Sequence, residues 1–415
     1  MDFIFSRLKR LFIRKQTKNR IPVIDGIKAF AISAVVFFHI FWVLGNYMTV
    51  ENLDKILLSP GMPILLNFNG IIDMFFLIAA FLGTAKVVNL YQSGKFNYGY
   101  YVLERLIRFI PLLSLVLIVY IVAGLPNPLN CWTNLLYLNI FLDFNQQCMN
   151  WSWYLSVQEQ FMLFLAPPIA FFLYKFPRTA WWIIGILGLY AVYHFRMQAI
   201  QQYQFTMPAP YHILYGKESF GDFFTGIYTL PHTRMAPLIV GCILGWAYVR
   251  TNFFKFVGKI RLWWTLPGLI LSALIIVPSF VLISPHHGIW EVEAGQMNLA
   301  LTRHSTTLMF AVIFILLVSG NSVLKPLEKF FSMKIWYPFS ELSLLIYFYH
   351  LIVIEVLYRI VVPENPLFIE LMLYFIIAYL ISFILSAVTN ILLERILRDW
   401  GYKIAKRKEE RVFVP

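Results

Sequence analysis

The sequence predicts an all-α membrane bundle of about ten transmembrane helices, and three observations carry that prediction. Residues that are 60% hydrophobic, 18% aromatic and only 13% charged, with a mean hydropathy of +0.69, make a 415-residue chain too apolar for a water-soluble globule. Apolar runs of the length that a bilayer core demands, about 20 residues, recur along it. Lys and Arg gather at every second connection between those runs.

The spans read as 27–46, 63–90, 102–124, 153–174, 178–195, 235–249, 262–284, 298–320, 339–361 and 366–392. A further apolar stretch, 132–141, is too short to cross. Residues 1–20 form a basic arm, expected to lie as an amphipathic helix on the inner membrane surface and not to act as a cleavable signal peptide. Residues 21–396 form the membrane domain, and 397–415 a basic, lipid-adjacent tail. Both basic termini are expected on the cytoplasmic side. The loops carrying Lys86 and Lys95, Lys175 and Arg178, Arg250 to Arg261, and Lys325 to Lys334 follow on that same side, which requires an even number of spans. The net charge of +13 is thereby a topology signal, and no nucleic-acid partner is expected.

Cys131 and Cys148 share the outside loop between the third and fourth spans, where a disulfide persists in an oxidising compartment; two free thiols are the alternative. No metal site is expected. His286 and His287 with Glu291 and Glu293 read as an exposed outside loop.

Ionisable side chains inside spans are costly, so these mark the chemistry. His39 lies in the middle of the first span, with Asp25 and Lys28 at its basic entrance. Fourteen residues of helix rise about 21 Å, so Asp25 is too far to be the carboxylate partner of His39 and is expected to pair with a cation at the cytoplasmic mouth. His39 itself reads as either an interhelical hydrogen bond or a reactive imidazole. Arg105 and Arg108, three apart on a helix, form a fork suited to phosphate; anchoring to the inner surface with a Glu104–Arg108 ion pair is the other reading. Ser152, Ser156 and Glu159 make a polar stripe on the fourth span, where Glu159 needs a buried arginine or a proton. Arg234 precedes the sixth span, Arg303 and His304 enter the eighth, and Ser343, Tyr347 and His350 form a stripe on the ninth.

At these residues the chain resembles the acyltransferase 3 superfamily of integral membrane acyltransferases. The segment 25–29 with the later His39 is similar to the family's Asp-Gly-x-Arg-Ala opening and histidine, 75–82 to its Phe-Phe-x-x-Ser-Gly-Phe, 105–111 to its Arg-x-x-Arg-x-x-Pro, and 153–161 to its Trp-Ser-Leu-Ser-Val-Glu-Glu-Gln-Phe. The segments 148–155, 231–241 and 338–350 resemble the branch named for nose resistance to fluoxetine. Lys28 replaces the usual arginine, Ala79 and Ala80 replace Ser-Gly, and Gln158 stands where an acid is usual, so an acidic role falls to Glu159.

The resemblance implies transfer of an acyl group, expected to be acetyl, from cytoplasmic acyl-CoA as co-substrate to a hydroxyl of a lipid or glycan at a bacterial inner membrane or a eukaryotic membrane. No further cofactor is expected, and membrane lipids are the other partners. Arg105 and Arg108 would take the CoA phosphates, and His39 would act as general base or carry the acyl group, with Glu159, the second expected catalytic residue, and Arg234 shaping the acceptor side. Asp25, Lys28, Ser156, Arg234 and His350 complete the expected substrate-binding set, all on one water-lined shaft. A transporter or a catalytically inactive lipid-binding relative is the alternative class; the lack of an internal repeat speaks against transport.

Overall fold

The structure, a computed structural model, describes residues 11–13, 20–48, 67–205, 220–261, 292–361 and 368–394, together with 52, 55, 266, 267 and 270. Among these, eight helices are long and apolar enough to cross a membrane, or nine if one pair bent by 88° is counted as a single span. The helices are α1 (Val23–Leu44), α2 (Ile72–Gln92), α3 (Tyr98–Val122), α4 (Trp153–Gln160), α5 (Ala166–Lys175), α6 (Ala180–Tyr203), α7 (Ala236–Arg250), α8 (Phe253–Lys259), α9 (Val292–Ser319), α10 (Tyr337–Ile360) and α11 (Phe368–Thr389). Nine of the ten expected spans correspond to these helices, α4 with α5 making one and the bent pair α7 and α8 another. The remaining one, 262–284, falls almost wholly outside the described residues, as do the basic arm, the basic tail and the loop with His286, His287 and Glu291.

Position in the bundle follows from where polar side chains fall. In α1 and α10, which carry the histidines, 72% of the apolar window is buried; in α6 and α11 only 22% is, and residues such as Leu187, Ile369 and Ile384 face outward. The two histidine helices therefore pack against each other at the centre. Helix α7 lies closest to α2 because Gly241 and Gly245, four apart, put no side chain in the seam. A Cβ at either would strike the carbonyl oxygen of Leu77 or of Phe81.

The register of α3 against the fourth span has a chain-level cause. The span passes through a π-helical turn, Phe161–Leu165, and is followed by Pro167 and Pro168, which have no N–H to offer the carbonyls five residues back, those of Met162 and Leu163. In a bilayer those acceptors must be satisfied. Tyr101 donates to Met162 O at 2.7 Å and Tyr98 to Leu163 O at 3.0 Å, which fixes α3, and the arginines one turn beyond, beside Glu159.

The apolar stretch 132–141 does not cross: it breaks into a turn of helix at Trp132–Leu135 and a 3₁₀ turn at Asn139–Phe141. The loop around it holds the Cys131–Cys148 disulfide, with Cα atoms 5.0 Å apart. Asn134 Nδ2 donates to Cys148 O at 2.9 Å and to Ser152 Oγ at 2.7 Å, so the loop caps the outer end of α4.

Candidate functional site

Two cavities lie along the bundle axis. The larger, about 270 Å³, is lined by Lys28, Lys86, Tyr101, Glu104, Arg105, Arg108, Gln158 and Ser343 among apolar residues. The smaller, about 50 Å³, holds His39, Trp42, Asn69, Asn150, Trp151, Trp153, Phe224 and Tyr228. Ile72 and Tyr347 line both and are the partition between them. The arginines and the imidazole thus occupy neighbouring cavities and not the single shaft expected from sequence. Tyr347 is the reason. Its ring packs on Tyr154 and His350, and its hydroxyl donates to the backbone oxygen of Trp151, holding the side chain across the axis.

In the smaller cavity the hydrogen bonds assign the histidine tautomers. His350 Nδ1 lies 2.6 Å from Tyr347 O, an acceptor only, so Nδ1 carries the proton and Nε2 is bare. His39 Nδ1 lies 2.8 Å from Val35 O and 3.2 Å from His350 Nε2, so its N–H is shared between two acceptors. The lone pair of His39 is then on Nε2. Val35 O, one turn back, fixes that proton on Nδ1, and His350, 311 residues away, is its second acceptor. Helical spacing on α1 cannot show such a partner; the sequence signal was a second histidine, on the stripe with Ser343 and Tyr347.

In the larger cavity the arginine fork is asymmetric. Arg105 Nε and Nη2 grip Glu159 at 2.8 and 2.5 Å, and Gln158 Nε2 donates to the same carboxylate at 3.1 Å. Glu159 is fully buried and lines neither cavity. Its placement is that of a counter-ion fixing Arg105, not of a group facing substrate, and it differs from the catalytic position expected for it. Glu104 pairs with Lys86 at 2.5 Å instead of with Arg108, and Arg108 lies over the Phe109 ring, 5.1 Å from its centroid. Lys28 donates to Ser340 O at 3.0 Å while lining the cavity.

The other expected site residues lie elsewhere. Asp25 receives Arg20 at 2.7 and 3.1 Å, a cation at the entrance of α1. Ser156 donates to Asn139 Oδ1 at 2.6 Å and so holds the outer loop, away from both cavities. Arg234, 1% exposed, sits behind the small cavity over the faces of Tyr228 and Trp153, beside Asp73. Asp73 and Arg196, both buried, escaped the sequence reading. An aspartate in the first turn of an apolar span was the available signal.

A family profile described as an acyltransferase domain matches residues 21–390. The chain is similar to nose resistant to fluoxetine protein 6 of Caenorhabditis elegans, 28% identical over 56% of this chain and 32% of that protein. It is also similar to O-acetyltransferase OatA of Staphylococcus aureus strain NCTC 8325, 21% identical over 96% of this chain and 60% of that protein. The chain therefore spans from about a third to three fifths of the length of these curated relatives. No solved structure matches it. With a profile that covers both cavities and nearly every described helix, the chain belongs to the acyltransferase 3 family and is a multi-pass integral membrane protein.

Proposed function

We propose that the protein is an O-acyltransferase that moves an acyl group, acetyl in the first instance, from cytoplasmic acyl-CoA to a hydroxyl of a lipid or glycan at the membrane. The observation that carries this reading is the placing of two half-sites back to back: a cationic cavity with Arg105, Arg108, Lys28 and Lys86, and beyond Tyr347 an imidazole with a bare nitrogen. Both basic termini on the cytoplasmic side would put the cationic cavity on the side where acyl-CoA is made. The CoA phosphates then meet Arg108 and the lysines, while Arg105 is held in place by Glu159. The small cavity admits a group of a few heavy atoms, since a single water takes about 30 Å³ of liquid.

In the step itself His39 Nε2 takes the proton of the acceptor hydroxyl as its oxygen attacks the thioester carbonyl. The C–S bond breaks, and the proton passes from the imidazole to the departing thiolate. His350 keeps Nδ1 of His39 as the donor and so orients the ring. Tyr347 has to swing aside for the thioester to reach His39, and in its present place it keeps water from the thioester.

The relative named O-acetyltransferase supports the reaction class. The test is release of free CoA from labelled acetyl-CoA by purified protein supplied with membrane lipid and glycan extracts. His39→Ala is expected to lower it by about 10² to 10⁴ while the protein stays monodisperse. Acyl transfer at the parent rate by that variant removes His39 from the reaction.

A further inference from the structure

Behind the aromatic wall of the small cavity lies a cluster whose charges do not balance. Asp73 on α2 is fully buried, and two guanidiniums approach it: Arg234 Nη1 at 3.4 Å from Oδ1 and Arg303 Nη1 at 3.2 Å from Oδ2. Both contacts are long for charge-assisted bonds, which centre on about 2.7–2.9 Å. The carboxylate therefore does not close either fork. Thr306 reaches Oδ2 only at 3.5 Å. A third arginine, Arg196, is tied to backbone oxygens alone: Leu299 O at 2.6 Å, Ala300 O at 3.1 Å, and Thr233 O, next to Arg234, at 3.3 Å. Three buried guanidiniums thus lie near one carboxylate, a surplus of two positive charges inside a membrane bundle, where an unbalanced charge is costly.

The surplus has a direction. Arg234 Nε and Nη2 and Arg303 Nη2 are buried N–H groups with no hydrogen-bond partner. Both guanidiniums lie against Tyr228, at 4.3 and 5.4 Å from its centroid, and Arg234 also lies 4.6 Å from that of Trp153. Tyr228 and Trp153 are walls of the cavity that holds His39; the guanidiniums lie behind them and line neither cavity, so an anion meets them only where this wall parts. Tyr228 ends a π-helical turn, Phe224–Tyr228, a local geometry often found at functional sites.

We propose that Arg234 and Arg303, backed by Arg196, bind an oxyanion carried by the acceptor, so that the hydroxyl substrate is an anionic molecule, a phosphorylated or carboxylated alcohol. The forked donors suit a planar carboxylate or a phosphate, and Asp73 holds the two arginines apart and tempers their charge. The inference rests on the acyl-transfer reading only in calling the bound molecule the acceptor; the anion site stands or falls by itself.

The test is binding, not turnover. Purified protein in a neutral detergent is titrated with glucose 6-phosphate and with glucose, followed by tryptophan fluorescence, for which Trp153 is the reporter. In parallel, native mass spectrometry counts phosphatidylglycerol and phosphatidylcholine retained from mixed nanodiscs. Preference for either anionic probe over its neutral counterpart supports the site and tells a soluble anion from a lipid headgroup. Equal binding of charged and neutral probes, or binding of neither, overturns it. Arg303→Gln is expected to weaken the preferred probe about tenfold or more, with Arg303→Lys retaining part. Asp73→Asn removes the competing carboxylate and is expected to tighten the same probe several-fold, a gain that a merely structural cluster would not give; where Arg303→Gln fails to fold, an unchanged Asp73→Asn affinity overturns the proposal. His39→Ala is expected to keep the binding, so loss of transfer with binding intact separates the anion site from the reaction.

Discussion

Replacing Glu159 by Gln separates a counter-ion from a catalyst, because the two roles predict different first symptoms. The carboxylate is fully buried and takes two hydrogen bonds from Arg105, whose side chain is 17% exposed. Removing one partner of such a pair leaves the other charge desolvated, at a cost of about 3–5 kcal/mol, whereas replacing both partners with apolar groups of similar volume is often close to neutral. At about 2–4 °C per kcal/mol, the single replacement should lower the melting temperature in detergent by roughly 6–20 °C. Arg105→Met and Glu159→Leu should each do the same, and Arg105→Met with Glu159→Leu should recover most of the loss. The coupling in that cycle, the two single losses minus that of the double, should be at least about 3 kcal/mol. Differential scanning fluorimetry on the four proteins gives the cycle, with CoA release measured on the same samples. A Glu159→Gln protein that melts like the parent but has lost turnover would refute the counter-ion reading and return Glu159 to the chemistry.

His350→Gln should lower CoA release by at least about tenfold but by less than His39→Ala, because it frees the Nδ1 proton of His39 from one of its two acceptors without removing the base; equal losses in the two variants would mean that His350 itself touches substrate. Tyr347→Ala should join the two cavities and raise acetyl-CoA hydrolysis in the absence of acceptor several-fold, read as free thiol; unchanged hydrolysis would show that the partition is not Tyr347. Cys131→Ser with Cys148→Ser should cost about 3 kcal/mol for a loop closed across 17 residues, seen as a lower melting temperature that reductant on the parent reproduces; a parent insensitive to reductant would mean that the bridge does not support the loop.

Those features were legible in unequal measure, and the reason is range. Hydropathy reported the spans because a bilayer imposes length on each helix separately: nine of the ten are matched by helices, most within a few residues of the expected limits, and 132–141 fails to cross for the length reason. The Asp25 partner was legible in kind, since arithmetic along one helix excluded His39 and Arg20 stood five residues away. Glu159 and Arg105 were both singled out, but nothing in a helical stripe says that they meet across 54 residues; nor could it show that His39 meets His350 across 311. The same blindness produced the expected Glu104–Arg108 pair. Residues one turn apart on α3 are neighbours in sequence geometry, yet Lys86 on α2 approaches Glu104 more closely. Ser156 was assigned to substrate because its stripe is polar, and that polarity serves the outer loop through Asn139. Tyr347 is similar: its stripe was visible, but its position across the axis depends on Trp151, whose place depends in turn on the loop that Asn134 holds.

Pairing sorts the charges of this bundle more sharply than burial does. A buried carboxylate in a membrane has to find a cation, so each one consumes an arginine that sequence alone would offer to a ligand. Asp25 takes Arg20, and Glu159 takes the nearer half of the fork. What remains after that subtraction is more informative than the full roll of basic residues. Among the described residues, Arg108 has no carboxylate partner and lines the larger cavity. Behind the small cavity Asp73 is shared by two arginines that keep N–H groups to spare, one aromatic layer from the imidazole. A stability role needs each of these cations to be balanced, and they are not; a ligand of opposite charge balances them only when it is bound. On the proposed reading the cost of holding them unbalanced is recovered in binding, and the surplus, not the salt bridges, marks the sites to test with anionic ligands.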